Sequence, residues 1–200
     1  FQVSNSMLLD DGNNDHLTQT FSQAPTNQKK FTVSGWYKRT TVDTYDILFG
    51  AVGASATTGR VQCYWHGGNG KLIIEMYHGS GWNSQITDMV FRDSHSWYNI
   101  MVVMDIENST EADRMRIYVN GSRATMDSSG AGVFTPSMPA TTMNHLMFNN
   151  SQPTTIGNSG DNNYYDGYMA EIVGLDGQAL TDMSTMGETD DNGVWRPIDP

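Results

Sequence analysis

"WYNIMVVMD" (97–105) and, a short step later, "RMRIYVNG" (114–121) decide the fold class. The first run is almost wholly apolar, as a central strand buried on both faces must be. The second alternates. Met115, Ile117 and Val119 point one way, and Arg114, Arg116 and Tyr118 the other, which is the two-residue period of a strand. Asn120-Gly121 closes the run with the strongest short hairpin signal, a pair that tolerates φ > 0 at both central positions.

The same signals repeat outward from this pair. "FTVSGWYKRT" (31–40) sets Phe31, Val33 and Tyr37 against Thr32, Ser34, Trp36 and Lys38. "YDILFGAV" (45–52) and "RVQCYWHG" (60–67) flank "GASATTG", a hairpin-like connection, and "KLIIEMYHG" (71–79) sets Leu72, Ile74 and Met76 against Ile73, Glu75 and Tyr77. "SMLLD" (6–10) and "HLTQTF" (16–21) enclose the loop "DGNND". After a loose stretch (125–144) come "HLMF" (145–148) and a strand around Glu171, bounded by Asp166-Gly167 and Asp176-Gly177. Only "LTDMSTMGE" (180–188) reads as a helix, capped by Thr181 and ended by a left-handed Gly187. The reading is an all-β sandwich with one short C-terminal helix: a single domain over residues 1–188, then a tail or linker over 189–200.

Composition agrees. Of 200 residues 38% are hydrophobic, 20 are glycine, and mean hydropathy is -0.47, the profile of short strands joined by turns. Eleven basic against 22 acidic residues leave a net charge of -11. That balance argues against nucleic acid, whose binding needs Lys and Arg to displace counterions, and against an anionic membrane surface. It suits neutral partners or cations. Cys63 is the single cysteine, so no intramolecular disulfide is expected and Cys63 reads as a small buried hydrophobe. No apolar run approaches the roughly 18 residues of a membrane span, and the segment opening at Phe1 has no signal-like character. Expectation is therefore a piece of a longer or processed protein, assembled in a reducing cytoplasm.

Read in order, several pieces resemble one family. "SMLLDDGNNDHLTQTFSQAPTNQKKFTVSGWYKRT", "SWYNIMVVMD" with "RMRIYVNGSRAT", and "YYDGYMAEIVGLDGQALTDMSTMGETDDNGVWRP" are similar to the laminin-G-like branch of the concanavalin A-like lectin/glucanase superfamily, in modules of tailed-bacteriophage structural proteins. The resemblance spans residues 5 to 197. It implies a two-sheet antiparallel jelly roll in which one concave sheet carries ligands at its rim or face. It further implies a virion location, assembly in the host cytoplasm, and a role in adhesion, with other virion subunits or copies of itself as partners.

Because the superfamily contains glucanases, hydrolysis comes first. Retaining glycosidases need two carboxylates about 5 to 5.5 Å apart, which a strand supplies as acids at alternating positions. Glu75 and Glu171 each stand alone on their face, so no enzyme is expected and Glu171 reads as a structural or rim hydrogen-bonding residue. The five histidines have neither zinc spacing nor a nucleophile elbow beside them. Glycan binding leads instead. Sugars are held by aromatic rings stacked on their apolar faces and by amide, carboxylate and backbone hydrogen bonds. "YWHGGNG" (64–70) and "MYHGSGWNSQ" (76–85) nominate Trp65, His66, Asn69, Tyr77, Trp82 and Asn83. The loop "GNSGDNNYYDG" (157–167) is either a solvated turn or a calcium ligand set built from Asp161, Asn163 and Asp166. The expected partner is a cell-surface polysaccharide or glycan. A purely structural role in subunit packing is the alternative, and a glycoside hydrolase comes third.

Overall fold

The computed structural model describes residues 3–42, 44–53, 59–79, 81–160 and 162–198. In chain order the strands are β1 (Met7–Leu9), β2 (Leu17–Gln19), β3 (Lys30–Arg39), β4 (Asp46–Val52), β5 (Arg60–Trp65), β6 (Lys71–Tyr77) and β7 (Trp82–Val90). They continue as β8 (Tyr98–Asp105), β9 (Met115–Val119), β10 (Ser122–Arg123), β11 (Thr154–Ile156), β12 (Gly167–Asp176), β13 (Glu188–Thr189) and β14 (Trp195–Arg196). Two six-stranded sheets run in the orders β1-β12-β3-β8-β9-β10 and β2-β11-β4-β5-β6-β7, and β13-β14 is a separate hairpin. Every pairing is antiparallel. The architecture is the expected two-sheet sandwich.

Alternation fills the space between the sheets. Phe31, Val33, Tyr37, Ile100, Val102 and Met104 of the first sheet meet Phe49, Val61, Cys63, Trp65, Ile74 and Met76 of the second, all at most 2% exposed. Each such side chain contributes about 1.5–3 kcal/mol by leaving water. Cys63 is a free, buried thiol, and burial pushes its pKa up. β8 is buried on both faces, Met101 and Val103 as completely as Val102. The Asn120-Gly121 turn closes β9 on β10 with φ of 48° and 77°.

One ion pair sits inside this core. Arg39 Nε donates to Asp46 Oδ2 at 2.6 Å, with side chains 1% and 0% exposed. The guanidinium also donates to the carbonyls of Phe91 and Thr44 at 3.2 and 3.4 Å and lies 5.2 Å from the Trp65 ring centre. Burial raises the Asp46 carboxyl to about 6 against the opposing pull of Arg39 and Thr44.

The expected helix at 180–188 is not there. A single 3-10 turn, Met183–Thr185, is capped by Asp182 rather than Thr181, because the Asp182 carboxylate accepts from the Ser184 amide at 2.9 Å. Gly187 is needed for a different reason: a Cβ there would fall 2.5 Å from the Trp195 ring, and one at Gly121 would fall 2.4 Å from it. Trp195 is thereby clipped to the outer face of the first sheet, where its Nε1 donates to Asn99 Oδ1 at 3.2 Å. Upstream, Thr32 Oγ1 donates to the Gln178 carbonyl and accepts from the Leu180 amide, at 2.9 and 3.1 Å. Residues 178–196 thus run over that face, and part of the segment expected as a tail forms the β13–β14 hairpin.

"HLMF" forms no strand, though His145 and Met147 are fully buried; β11, three residues long, takes the sheet position instead. Glu171 lies at a β-bulge with φ of 51° and faces solvent. It makes no side-chain hydrogen bond among the described residues, so the bonding role expected for it is not seen. In "GASATTG", residues 54–58 lie outside the described residues; the Gly53 amide donates to the Gly59 carbonyl across that connection at 2.8 Å.

Candidate functional site

The parity that sends Cys63, Ile74 and Met76 inward sends their neighbours to the outer face of the second sheet. Across β5, β6 and β7 the register makes three rungs there. Arg60, Tyr77 and Trp82 form an aromatic rung, Gln62, Glu75 and Ser84 a polar one, and Tyr64, Ile73 and Ile86 an apolar one. Ala131 and Phe134, from the segment between β10 and β11, pack over the apolar rung together with Ile47. That segment is tied to β7 by backbone bonds from Asp127 to Ile86 and from Ser137 to Ser84, and to the start of β6 by the Lys71–Asp127 ion pair at 2.7 Å.

The polar rung is a closed hydrogen-bond set. Glu75 Oε2 accepts from Gln62 Nε2 at 2.9 Å and Oε1 from Ser84 Oγ at 3.2 Å, while Gln62 Oε1 accepts from Ser159 Oγ at 2.8 Å. Burial, with Glu75 alongside, raises the Tyr64 phenol. Glu75, Gln62 and Ser84 are 9%, 7% and 2% exposed, so this rung is buried, with the aromatic rung next to it along the strands. There the Tyr77 and Trp82 rings lie 5.1 Å apart at 52°, with Tyr77 partly buried and Trp82 49% exposed. Two tilted aromatic rings beside amide, hydroxyl and carboxylate groups have the chemistry of a sugar contact.

The six nominated glycan residues separate. Tyr77 and Trp82 come together as described. Trp65 is a correction: it is 0% exposed, packed edge-on against Tyr37 and Phe91 at 6.1 and 5.6 Å, and no ligand can stack on it. Asn83 is another, because its parity is opposite to Trp82 and it is 8% exposed with its amide 3.4 Å from Met143 Sδ. Asn69 Oδ1 accepts from the Lys71 amide at 3.0 Å, closing the β5–β6 turn. His66 belongs to the opposite end of β6 from Tyr77, about 20 Å away at a strand's rise per residue. Its Nε2 lies 2.9 Å from the Tyr45 hydroxyl, and burial lowers its pKa. The hairpin therefore holds two ends, not one six-residue site. Gln62, Glu75 and Ser84 are the additions; their signal was three polar residues falling on one rung once the strands are paired.

The nominated metal set also separates. Asp161 lies outside the described residues. The Asn163 carbonyl accepts from Asn158 Nδ2 at 2.9 Å. Asp166 accepts from the Thr40 hydroxyl and gathers with Asp10 and Asp11, carboxylate oxygens all within 4.8 Å of one another. Asp10 and Asp11 belong to the Asp-rich loop after β1, which β1–β12 pairing carries to this rim. Three hard oxygen donors in one place fit calcium, which takes 6–8 such ligands.

An antiparallel sandwich of two six-stranded sheets defines a class, and the comparisons agree with it. The Laminin G 3 family model, described as the concanavalin A-like lectin/glucanases superfamily, matches residues 11–182, and the chain belongs to that superfamily. No curated protein matches. Among solved structures, domain 4 of the GH43 extracellular arabinanase AbnA from Geobacillus stearothermophilus, in complex with arabinotriose, is 12% identical with a TM-score of 0.62; the match covers 88% of this chain and 72% of that one. The CBM40 of the Ruminococcus gnavus IT-sialidase, bound to α2,3 sialyllactose, is 10% identical with a TM-score of 0.56, over 92% and 97% of the two chains. The enzymatically active domain of bacteriophage CBA120 tailspike protein 2 is 11% identical with a TM-score of 0.58, over 88% of this chain and 26% of that one. At these identities the likeness shows the fold.

Proposed function

We propose that this chain is a non-enzymatic carbohydrate-binding module that recognises a cell-surface polysaccharide or glycan. One observation carries the reading: the Tyr77–Trp82 pair, partly buried at Tyr77 and exposed at Trp82, stands next to the Gln62–Glu75–Ser84 hydrogen-bond set. Neighbours of the same fold that hold arabinotriose and sialyllactose support it. Hydrolysis is disfavoured by the site itself, since Glu75 has Gln62 and Ser84 as its rung partners and no second carboxylate opposite it for nucleophile or acid.

The finer reading is adhesion within a bacteriophage virion protein, among other virion subunits and copies of the same chain. The tailspike neighbour supports this placement. Calcium at Asp10, Asp11 and Asp166 would brace the rim loop where β1 meets β12.

A glycan array of the chain, run with calcium and with EDTA, tests the proposal. The expected result is a set of hits that disappears in a Tyr77→Ala/Trp82→Ala variant. Loss of hits in EDTA assigns calcium to the binding state, and their persistence removes the metal while keeping the lectin. A blank array in both conditions overturns the glycan reading in favour of a packing module.

A further inference from the structure

The outer face of the first sheet holds a second aromatic feature, on the far side of the sandwich from Tyr77 and Trp82. Tyr37 points into the core, so Trp36 points out. Its neighbour on β12 is Ala170, whose small methyl leaves the indole partly exposed, and the β3–β12 register shifts at the bulge that follows. Trp97, 36% exposed, precedes β8 alongside. With Val3, Ser4, Asn5 and Ser6 ahead of β1, and with Pro197 beyond β14, these residues line a cavity of about 350 Å³. That is within the size range of small-ligand sites, about 300–1,000 Å³.

The lining selects its ligand. It contains no ionisable side chain. Ser4, Asn5, Ser6, Trp36 and Trp97 make no side-chain hydrogen bond to any described residue, so hydroxyl, amide and indole N–H groups remain for a ligand. A pure hydrocarbon would desolvate these donors without pairing them. An anionic ligand would find no cation here, on a chain of net charge -11. A neutral sugar meets both demands, with an apolar ring face for the indoles and hydroxyls for the polar wall.

We infer that the Trp36–Trp97 cavity is a second, independent site for a neutral saccharide unit. It shares no residue with the Tyr77–Trp82 site, so the two stand or fall separately. A chain with both would hold a polymer at two points and gain avidity from the link.

The test follows the indole N–H signals of the five tryptophans in nitrogen–proton correlation spectra of the intact chain. Lactose, maltose and cellobiose are titrated to about 10 mM, a range suited to weak sugar contacts, with sialyllactose as the charged control. The expected result is that at least one neutral disaccharide shifts the Trp36 and Trp97 signals saturably, and still does so in Tyr77→Ala/Trp82→Ala. Trp97→Ala should weaken that binding about tenfold or more, read from backbone shifts around Trp36. Should Trp97→Ala disturb the fold, Ser4→Ala/Asn5→Ala, which changes exposed groups only, should weaken binding instead. No shift at Trp36 and Trp97 with any of the three sugars overturns the inference. So do equal binding of sialyllactose, unchanged affinity in both variants, or shifts produced by raising the protein concentration without sugar, which would put a second copy in the cavity.

Discussion

Replacing Asp46 by Ala should cost about 3 kcal/mol, and the route to that figure is visible in the core. The substitution leaves the Arg39 guanidinium in place, 1% exposed and without its counter-charge. Removing one partner of a buried pair costs about 3–5 kcal/mol, because the survivor stays desolvated. The Phe91 and Thr44 carbonyls and the Trp65 ring still face the cation, so the lower end applies. With a urea slope of about 2 kcal/mol per molar for a chain of this size, the midpoint should fall by about 1.5 M. Tryptophan fluorescence during urea unfolding reads it directly. The decisive comparison is Arg39→Met/Asp46→Leu, which removes both charges while keeping volume. It should recover most of the loss, since apolar replacement of a buried pair is often neutral or stabilising. A midpoint shift below about 0.5 M for the single variant would refute the reasoning. A double variant as unstable as the single would refute it too.

Three further outcomes are expected. Tyr77→Ala/Trp82→Ala should abolish glycan-array binding while shifting stability by no more than about 1 kcal/mol, because Trp82 is half exposed; differential scanning calorimetry checks the second half. His145 is fully buried against Phe31 at 5.0 Å, its Nε2 3.1 Å from the Asn27 and Lys30 carbonyls and its Nδ1 without a hydrogen-bond partner among the described residues. Burial lowers its pKa, so the unfolded chain binds the proton more readily, and its share of stability is lost as pH falls below about 6.5. Asp46 works oppositely, its contribution being full below about 4 and lost as pH rises through about 6. A His145→Gln variant should therefore lose part of the acid-side fall in melting temperature, and an unchanged profile counts against the assignment. Gly187→Ala drives a methyl into the Trp195 ring and should cost about 1–3 kcal/mol, with a shift in Trp195 emission as the hairpin lifts.

Strands with one buried face, or with two, were legible because side-chain parity is a local property. β3, β6, β8 and β9 were read with their faces correct, down to the Asn120-Gly121 turn. Residues 180–188 misled because Thr181 and Gly187 stand where the caps of a short helix would, whereas the Asp182 cap and the place of the Trp195 ring belong to a segment laid over a sheet. β11 is too short to carry a pattern. Within the site, parity could not tell which of Tyr64 and Trp65 faces the core, because β5 and β6 bury apolar groups on both sides. The rung of Gln62, Glu75 and Ser84 depends on register, and the meeting of Asp166 with Asp10 and Asp11 depends on β1 pairing with β12 from the other end of the chain. Neither is a local property.

The way the second sheet ends has a consequence for assembly. On one side, backbone bonds from Asp127 and Ser137 already occupy β7; on the other, β2 offers only Leu17–Gln19. A three-residue edge is too short a template for strand addition, and an occupied one offers none. Copies of this chain, or a chain beside it, are therefore expected to meet through side-chain surfaces and loops, not by extending the sheet. A neighbour's position would then be set by shape and charge, and contacts could be remodelled by surface substitutions without touching the hydrogen-bonded frame beneath.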